Sequence, residues 1–384
     1  MNLSIARRGL AFIAVAGASA LVLASCGSDP DTNAADDTAN AGNTAEAGDT
    51  ADGGETESDL SGNLNGAGAS SQEAAQQAWI AGFQQQHPDV TVNYAPEGSG
   101  AGREQFTSGA VPFAGTDAYL DDAELAAAEQ ACGAPAVDLP LYIDPIALPY
   151  NLPDVDTLNL RPEVIAGIFN EQITTWNDPA IAESNPDADL PDLPITPVHR
   201  SDESGTTENF VDYLAKAAPD AWPHEVSGDW PAGLSGEAAA QTPGVIQAVE
   251  AAEGTIGYAS AAAVGEMTTV AVGVGDEFVE YSAEAAAAVV ASSPQAEGRA
   301  ENDFAVDLAR DTTESGNYPI VLISYIVVCT AYDDAATGEL TQAYVSYLAS
   351  EEGQQAAADA AGSAPISEDM RSNVQDVIDS IEIG

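Results

Sequence analysis

The sequence predicts an α/β protein of open sheets, large enough for two domains, and three observations carry that expectation. Helical and strand-like stretches alternate in short units from residue 70 onward, the pattern of sheets flanked by helices. The junctions from strand to helix carry Ser70, Ser99, Asp117 and Ser204, at the place where open sheets gather their ligands. Once the N-terminal region is set aside, roughly 320 residues remain, enough for two domains with cores of their own.

In chain order, Arg7 and Arg8 precede an apolar run from Leu10 to Leu23 that closes in Leu23-Ala24-Ser25-Cys26. The run is short and alanine-rich, and polar residues follow at once, so it reads as an export signal rather than a membrane span. Its last four residues resemble the lipobox of bacterial lipoproteins, in which the cysteine is acylated (palmitate) and becomes the new N-terminus. That makes 1–25 a signal peptide and Cys26 the lipidation site. Residues 27–60 hold ten acidic residues, no Lys or Arg, and Leu60 as their one sizeable aliphatic. Such a composition cannot bury enough surface to offset its ordering entropy. Residues 26–60 are therefore expected to be a disordered acidic tether that holds the body off a membrane while it searches for a partner.

The body follows. Ser70 to Gln86 has helical spacing, with Ala75, Trp79, Ile80 and Phe83 on one face. Val90 to Tyr94 is a strand, followed by a glycine-rich turn (Glu97 to Gly102) and a helical run from Arg103. Phe113 to Thr116 is a short buried strand ending at Asp117. Leu139 to Ala147 and Ile195 to Val198 are further strands, and no internal repeat is present.

Charge excludes whole classes of function. The chain has 62 Asp and Glu against nine Lys and Arg, for a net charge of −53. That argues against nucleic acid or an anionic membrane surface as ligand, and the scarcity of lysine (Lys216 alone) suggests a surrounding of high ionic strength. With Cys26 assigned to the lipobox, Cys132 and Cys329 remain. In an exported protein an isolated pair points to a disulfide, and no metal-ligand spacing is present. His87, His199 and His224 are scattered, so neither a metal nor another cofactor is expected.

The most informative stretch runs from Pro197 to Thr207. Arg200, Ser201, Ser204, Gly205 and Thr206 stand just ahead of a helical pattern from Glu208, with Ser204 or Thr206 as candidate N-cap. The free amides and positive dipole end of such a turn form an anion site, and Arg200 adds a forked, permanently charged donor. An acidic chain can still bind an anion there, because the Debye length is about 10 Å at 0.1 M salt. Asp117 would repel a fully ionised anion but can accept a hydrogen bond from one that keeps a proton, as hydrogen phosphate does and sulfate does not. The alternative for Asp117 is a cap on the helix beginning near Asp121. Gly98 to Gly102 lacks the spacing of a dinucleotide turn, and Asp202-Glu203-Ser204-Gly205-Thr206 lacks the first glycine of a nucleophile elbow.

Four segments, Gly66 to Ser70, Gly98 to Gly102, Val111 to Ala118 and His199 to Thr207, resemble the ligand segments of the phosphate-binding proteins that feed the high-affinity phosphate ABC transporter. Ile168 to Ala182 is similar to that family's central signature, and Gly254 to Tyr258 to a later segment. The likeness runs from residue 61 to the C-terminus. It implies a two-lobed periplasmic-binding-protein fold of type II, with two open α/β sheets joined by a two-stranded hinge. Lobe 1 would be 61–146 plus 319–384, and lobe 2 would be 147–318. The implied phosphate ligands are Ser70, Ser71, Ser99 and Asp117 from the first lobe and Arg200, Ser204, Gly205 and Thr206 from the second. Arg200 would be held by Asp202 or Asp117, and Cys132 and Cys329 would share lobe 1. Ser71 stands where many members have an aromatic residue, Glu171 and Gln172 replace basic residues of the signature, and Glu203 is an extra acid beside the site.

The function this implies is a monomeric, non-enzymatic solute-binding lipoprotein on the extracytoplasmic face of the cell membrane. It would capture inorganic phosphate and pass it to the permease and ATPase subunits of an ABC transporter. A phosphomonoesterase reusing the cradle, a surface adhesin or phosphate sensor without transport, and another oxyanion as ligand stay open.

Overall fold

The structure is a computed structural model and describes residues 60–300 and 302–384. The expectations for the export signal, for Cys26 and for the tether up to residue 59 lie outside the described residues. Strand β1 (Gly62–Gly68) leads through a 3-10 turn at Ser70–Gln72 into α1 (Glu73–Gln86), β2 (Val90–Ala95), α2 (Ser99–Thr107) and β3 (Phe113–Thr116). Next come α3 (Asp122–Cys132), the long β4 (Ala136–Ala147), β5 (Leu158–Leu160), α4 (Pro162–Phe169) and α5 (Pro179–Ser184). The middle of the chain forms β6 (Thr196–Arg200), α6 (Gly205–Ala217), β7 (Glu237–Ala239), α7 (Gln241–Ala251), β8 (Thr255–Gly257), β9 (Ala259–Ser260), β10 (Val270–Val274), β11 (Glu277–Val279) and α8 (Ala283–Ser292). A long connection reaches β12 (Val321–Cys329), and β13 (Ala331–Tyr332), α9 (Ala335–Ala349), α10 (Glu351–Ala361), α11 (Glu368–Asp379) and β14 (Glu382–Ile383) complete the chain.

The largest sheet has the order β2-β1-β3-β12-β4-β9. β1 runs parallel to β2 and β3, while β12 is antiparallel to both β3 and β4. β4 and β12 are buried at every residue, as strands covered on both faces must be. The apolar face read from the sequence of α1 is the one it buries, through Ala75, Trp79 and Phe83. The remaining strands form two three-stranded sheets, β7-β6-β8 and β11-β10-β5, and the two-stranded β13-β14. Single bridges from Tyr150 to Ile256 and from Pro149 to Thr269 link the two three-stranded sheets just past the end of β4.

Cys132 at the end of α3 and Cys329 at the end of β12 are bonded, with Cα atoms 5.7 Å apart across 197 residues of chain. Closing so long a loop restricts the unfolded chain and is worth about 2–5 kcal/mol. Two helices begin earlier than their sequence pattern suggests, α2 at Ser99 rather than Arg103 and α6 at Gly205 rather than Glu208. The first start holds Gly100 and Gly102 and the second Gly205, Thr206 and Thr207, and both glycine and threonine weaken the local helix signal. Among the described residues no helix is long and apolar enough to cross a membrane.

Candidate functional site

Four helix starts meet at one place. The 3-10 turn at Ser70, α2 at Ser99, α6 at Gly205 and α7 at Gln241 are joined by side chains running from one start to the next. Ser70 Oγ lies 3.0 Å from Thr242 Oγ1 and accepts from Thr242 N at 3.2 Å, so a serine from one sheet's side caps the first turn of a helix on the other. A Cβ on Gly205 would stand 2.6 Å from both Ser99 Oγ and Asp117 Cβ; only glycine allows this approach.

Asp117 directly follows β3 and is almost fully buried. Its Oδ1 accepts from Ser71 Oγ and Ser324 Oγ, both at 2.6 Å, and its Oδ2 from Thr206 Oγ1 at 3.1 Å. Its backbone N–H donates to Ser99 Oγ at 3.1 Å, and its carbonyl accepts from Asn209 Nδ2 at 2.7 Å. Burial pushes its pKa up from the ordinary aspartate value, while the hydroxyls of Ser324, Ser71 and Thr206 and the nearby Arg200 pull it part of the way back. Asp117 does not cap α3. That role belongs to Asp121, which accepts from Ala123 N and Glu124 N at 2.8 and 2.7 Å.

Arg200 ends β6 and is 3% exposed. Asp202 grips it side-on, with Nε donating to Oδ1 at 2.9 Å and Nη2 donating to Oδ2. Of the two partners the sequence offered, Asp202 is the one that holds the fork. Burial opposes ionisation of Asp202, but the bonds to Arg200 win and hold its pKa low. Gln241 N donates to the same Oδ1 at 2.9 Å, and Gln241 takes φ 59°, a left-handed conformation at the start of α7. A non-glycine residue there stores about 1–3 kcal/mol of strain, a common feature of binding sites.

Ser204 is the N-cap of α6, accepting from Thr207 N at 3.3 Å. His199 is stacked on Trp230 with ring centroids 4.9 Å apart, and its Nδ1 bonds the Arg200 carbonyl at 2.9 Å. The serine and the histidine are thus each engaged elsewhere, which disfavours a nucleophile–base pair. The structure therefore brings Ser71, Ser99, Asp117, Gly205 and Thr206 together, with Arg200 and Ser204 beside them, and turns the Ser70 hydroxyl toward Thr242.

Several participants escaped the sequence reading. Ser324 is the one serine in the run Val321 to Val328, whose other residues are aliphatic or aromatic, and that was its signal. Thr242 left no such mark. Tyr258 places its hydroxyl 2.7 Å from Thr207 Oγ1 and accepts from Arg200 N at 3.2 Å. Arg310 is buried and donates to Asn209 Oδ1, fixing the amide that reaches Asp117. The Ile168 to Ala182 signature acts at a distance from the site. Asn170 Nδ2 donates to Ala221 O at 2.9 Å, and Glu171 Oε1 accepts from Ser235 N at 2.8 Å. These contacts brace the segment whose Gly228 carbonyl receives Ser204 N at 3.0 Å.

Hydroxyls, helix-start amides, one arginine and one carboxylate suit a small oxyanion that carries a proton. Comparison with known proteins agrees with that geometry. The model of the PBP superfamily domain matches residues 53–352. The chain is 33% identical to the phosphate-binding protein PstS3 of Mycobacterium bovis, covering 97% of this chain and 98% of the relative. It is 32% identical to the phosphate-binding protein PstS of Xylella fastidiosa over 74% of this chain and 77% of the relative. A solved high-affinity periplasmic phosphate-binding protein (PfluDING) bound with phosphate superposes with a TM-score of 0.66 at 23% identity, over 82% of this chain and 93% of the other. A phosphate-bound substrate-binding protein from Clostridium perfringens gives 0.57 at 21% identity, over 80% and 100%. At those identities the two structures speak for the shared fold.

Proposed function

The chain belongs to the PBP superfamily and, within it, to the PstS phosphate-binding proteins, and from that premise we propose how its site works. It captures inorganic phosphate as the substrate-binding protein of an ABC transporter, in the two-lobed fold of periplasmic binding proteins. Ser71, Ser99, Ser204, Gly205 and Thr206 surround the anion with hydroxyls and backbone amides, and Arg200 supplies the full countercharge. Ser70 contributes its backbone and the brace to Thr242. Lobe 1 is 61–146 plus 319–384 and lobe 2 is 147–318, and phosphate shifts the population toward the closed arrangement because it binds that arrangement better.

The observation that carries this reading is the buried Asp117 carboxylate, enclosed by the hydroxyls of Ser71, Thr206 and Ser324. A carboxylate beside an anion is a liability unless the anion brings a proton for it to accept. Hydrogen phosphate does so, and a buried acceptor left unsatisfied rejects a ligand lacking that donor by about 10⁴–10⁵-fold. The protein binds and releases; no bond is broken. Cys26 is the lipid anchor of a monomer held on the extracytoplasmic face of the membrane, and the permease and ATPase subunits receive the phosphate.

Calorimetric titration of protein stripped of ligand by unfolding and refolding tests the reading. One-to-one binding of phosphate without heat from sulfate is expected, and Arg200→Ala is expected to lose about 10²-fold or more in affinity. Equal binding of both anions, or of neither, would sink it.

A further inference from the structure

Glu203 follows Asp202 in the turn between β6 and α6, where an extra acid should oppose an anion. Its carboxylate faces another way. Oε1 accepts from Arg103 Nη2 at 2.6 Å, and Oε2 lies 1.1 Å from where a Cβ on Gly100 would be, against the first turn of α2. A Cβ on Gly228 would come within 2.4 Å of Oε1, so the head group is seated between two glycines.

Arg103 is fixed from its own side. Nε donates to Glu124 Oε1 at 2.8 Å and Nη1 to Thr116 Oγ1 at 3.0 Å, which leaves Nη2 aimed at Glu203. Its other acidic neighbour across the gap is Glu208 of α6, at 3.8 Å. Thr116 ends β3 of the six-stranded sheet and Arg103 and Glu124 lie on α2 and α3 on either side of that strand in the chain, whereas Glu203 and Glu208 follow β6 of the other sheet, in the turn and in α6. Ser99 lies one helical turn before Arg103, and Ser204 adjoins Glu203. The pair therefore sits beside two ligand groups, one on each side.

We propose that Arg103 and Glu203 form a clasp that holds the two sides shut over the bound anion and so sets its rate of release. The proposal rests on the phosphate-binding reading above. The two residues are positioning residues that act through closure. A contact made only when the sides meet slows opening and leaves encounter nearly unchanged.

Stopped-flow binding and release of inorganic phosphate, on wild type, Arg103→Gln, Glu203→Gln and the double variant, tests the clasp. Each single change is expected to speed release about tenfold with association within about twofold, and the double is expected to be no faster than the singles. Wild-type release in the singles, or effects that multiply in the double, would overturn the clasp. Failure of the wild type to bind phosphate would instead overturn the function. The clasp is then judged by small-angle scattering of the ligand-free proteins. Both singles must show a larger radius of gyration than the wild type, and equal radii would refute it.

Discussion

Asp117 carries a cost to stability that the proposed selectivity would explain. Its three hydroxyl donors relieve part of the burial penalty, yet its pKa still sits above its unfolded value. An acid whose folded pKa is raised contributes stability below the unfolded pKa, and that contribution is lost as pH rises through the folded pKa. Asp117→Asn should therefore melt higher than wild type without ligand near pH 7, with the gap closing toward pH 4. Thermal melts across that range check the sign. The same variant should narrow the preference for phosphate over sulfate by about 10²-fold or more in competition titrations. A residue acting only as a structural prop would not move that ratio.

Elements deliver these groups by local irregularities. The ladder between β12 and β4 slips in register between Ser324 and Tyr325, opposite Pro140, which has no N–H to pair. Bulges re-aim side chains, and here Ser324 points at Asp117. The start of α7 is strained at Gln241, and Ser70 supplies a cap from across the gap. Ser70→Ala removes that acceptor, so it should cost about 1 kcal/mol of stability, or about 2–4 °C in melting temperature. It should also weaken phosphate binding in the same calorimetric assay. Unchanged melting and affinity would mean that the α7 start is held elsewhere.

At the scale of the whole molecule, 62 acidic residues against nine basic ones set up self-repulsion that the compact state must bear. The cations that are present go largely to buried or bridging positions. Arg103, Arg200, Arg299 and Arg310 each pair with an acid and are at least nine-tenths buried at the side chain. The surface is left acidic and unscreened at low salt. Raising salt from about 0.1 to about 1 M shortens the Debye length from about 10 to about 3 Å. The melting temperature of the ligand-free protein should rise by several degrees over that range. A fall would show that the buried pairs outweigh the surface repulsion.

The sequence by itself determined the α/β class, the amphipathic face of α1, the strand into Asp117, and a loop from Arg200 to Thr206 that leads into a helix start. These are local properties: periodicity, caps and turn chemistry act between residues a few positions apart. It also held Ser324 and Arg103 in plain view, a hydroxyl in an apolar strand and a spared arginine, but gave neither a partner. Tertiary structure alone decided that Asp202 rather than Asp117 holds Arg200, that Ser70 turns to Thr242, and that Glu203 turns to Arg103. Each of those choices depends on which oxygen reaches which donor across a gap between sheets. Over the 100 residues between Arg103 and Glu203, that distance is set by how two packed bodies meet and leaves no trace in sequence spacing.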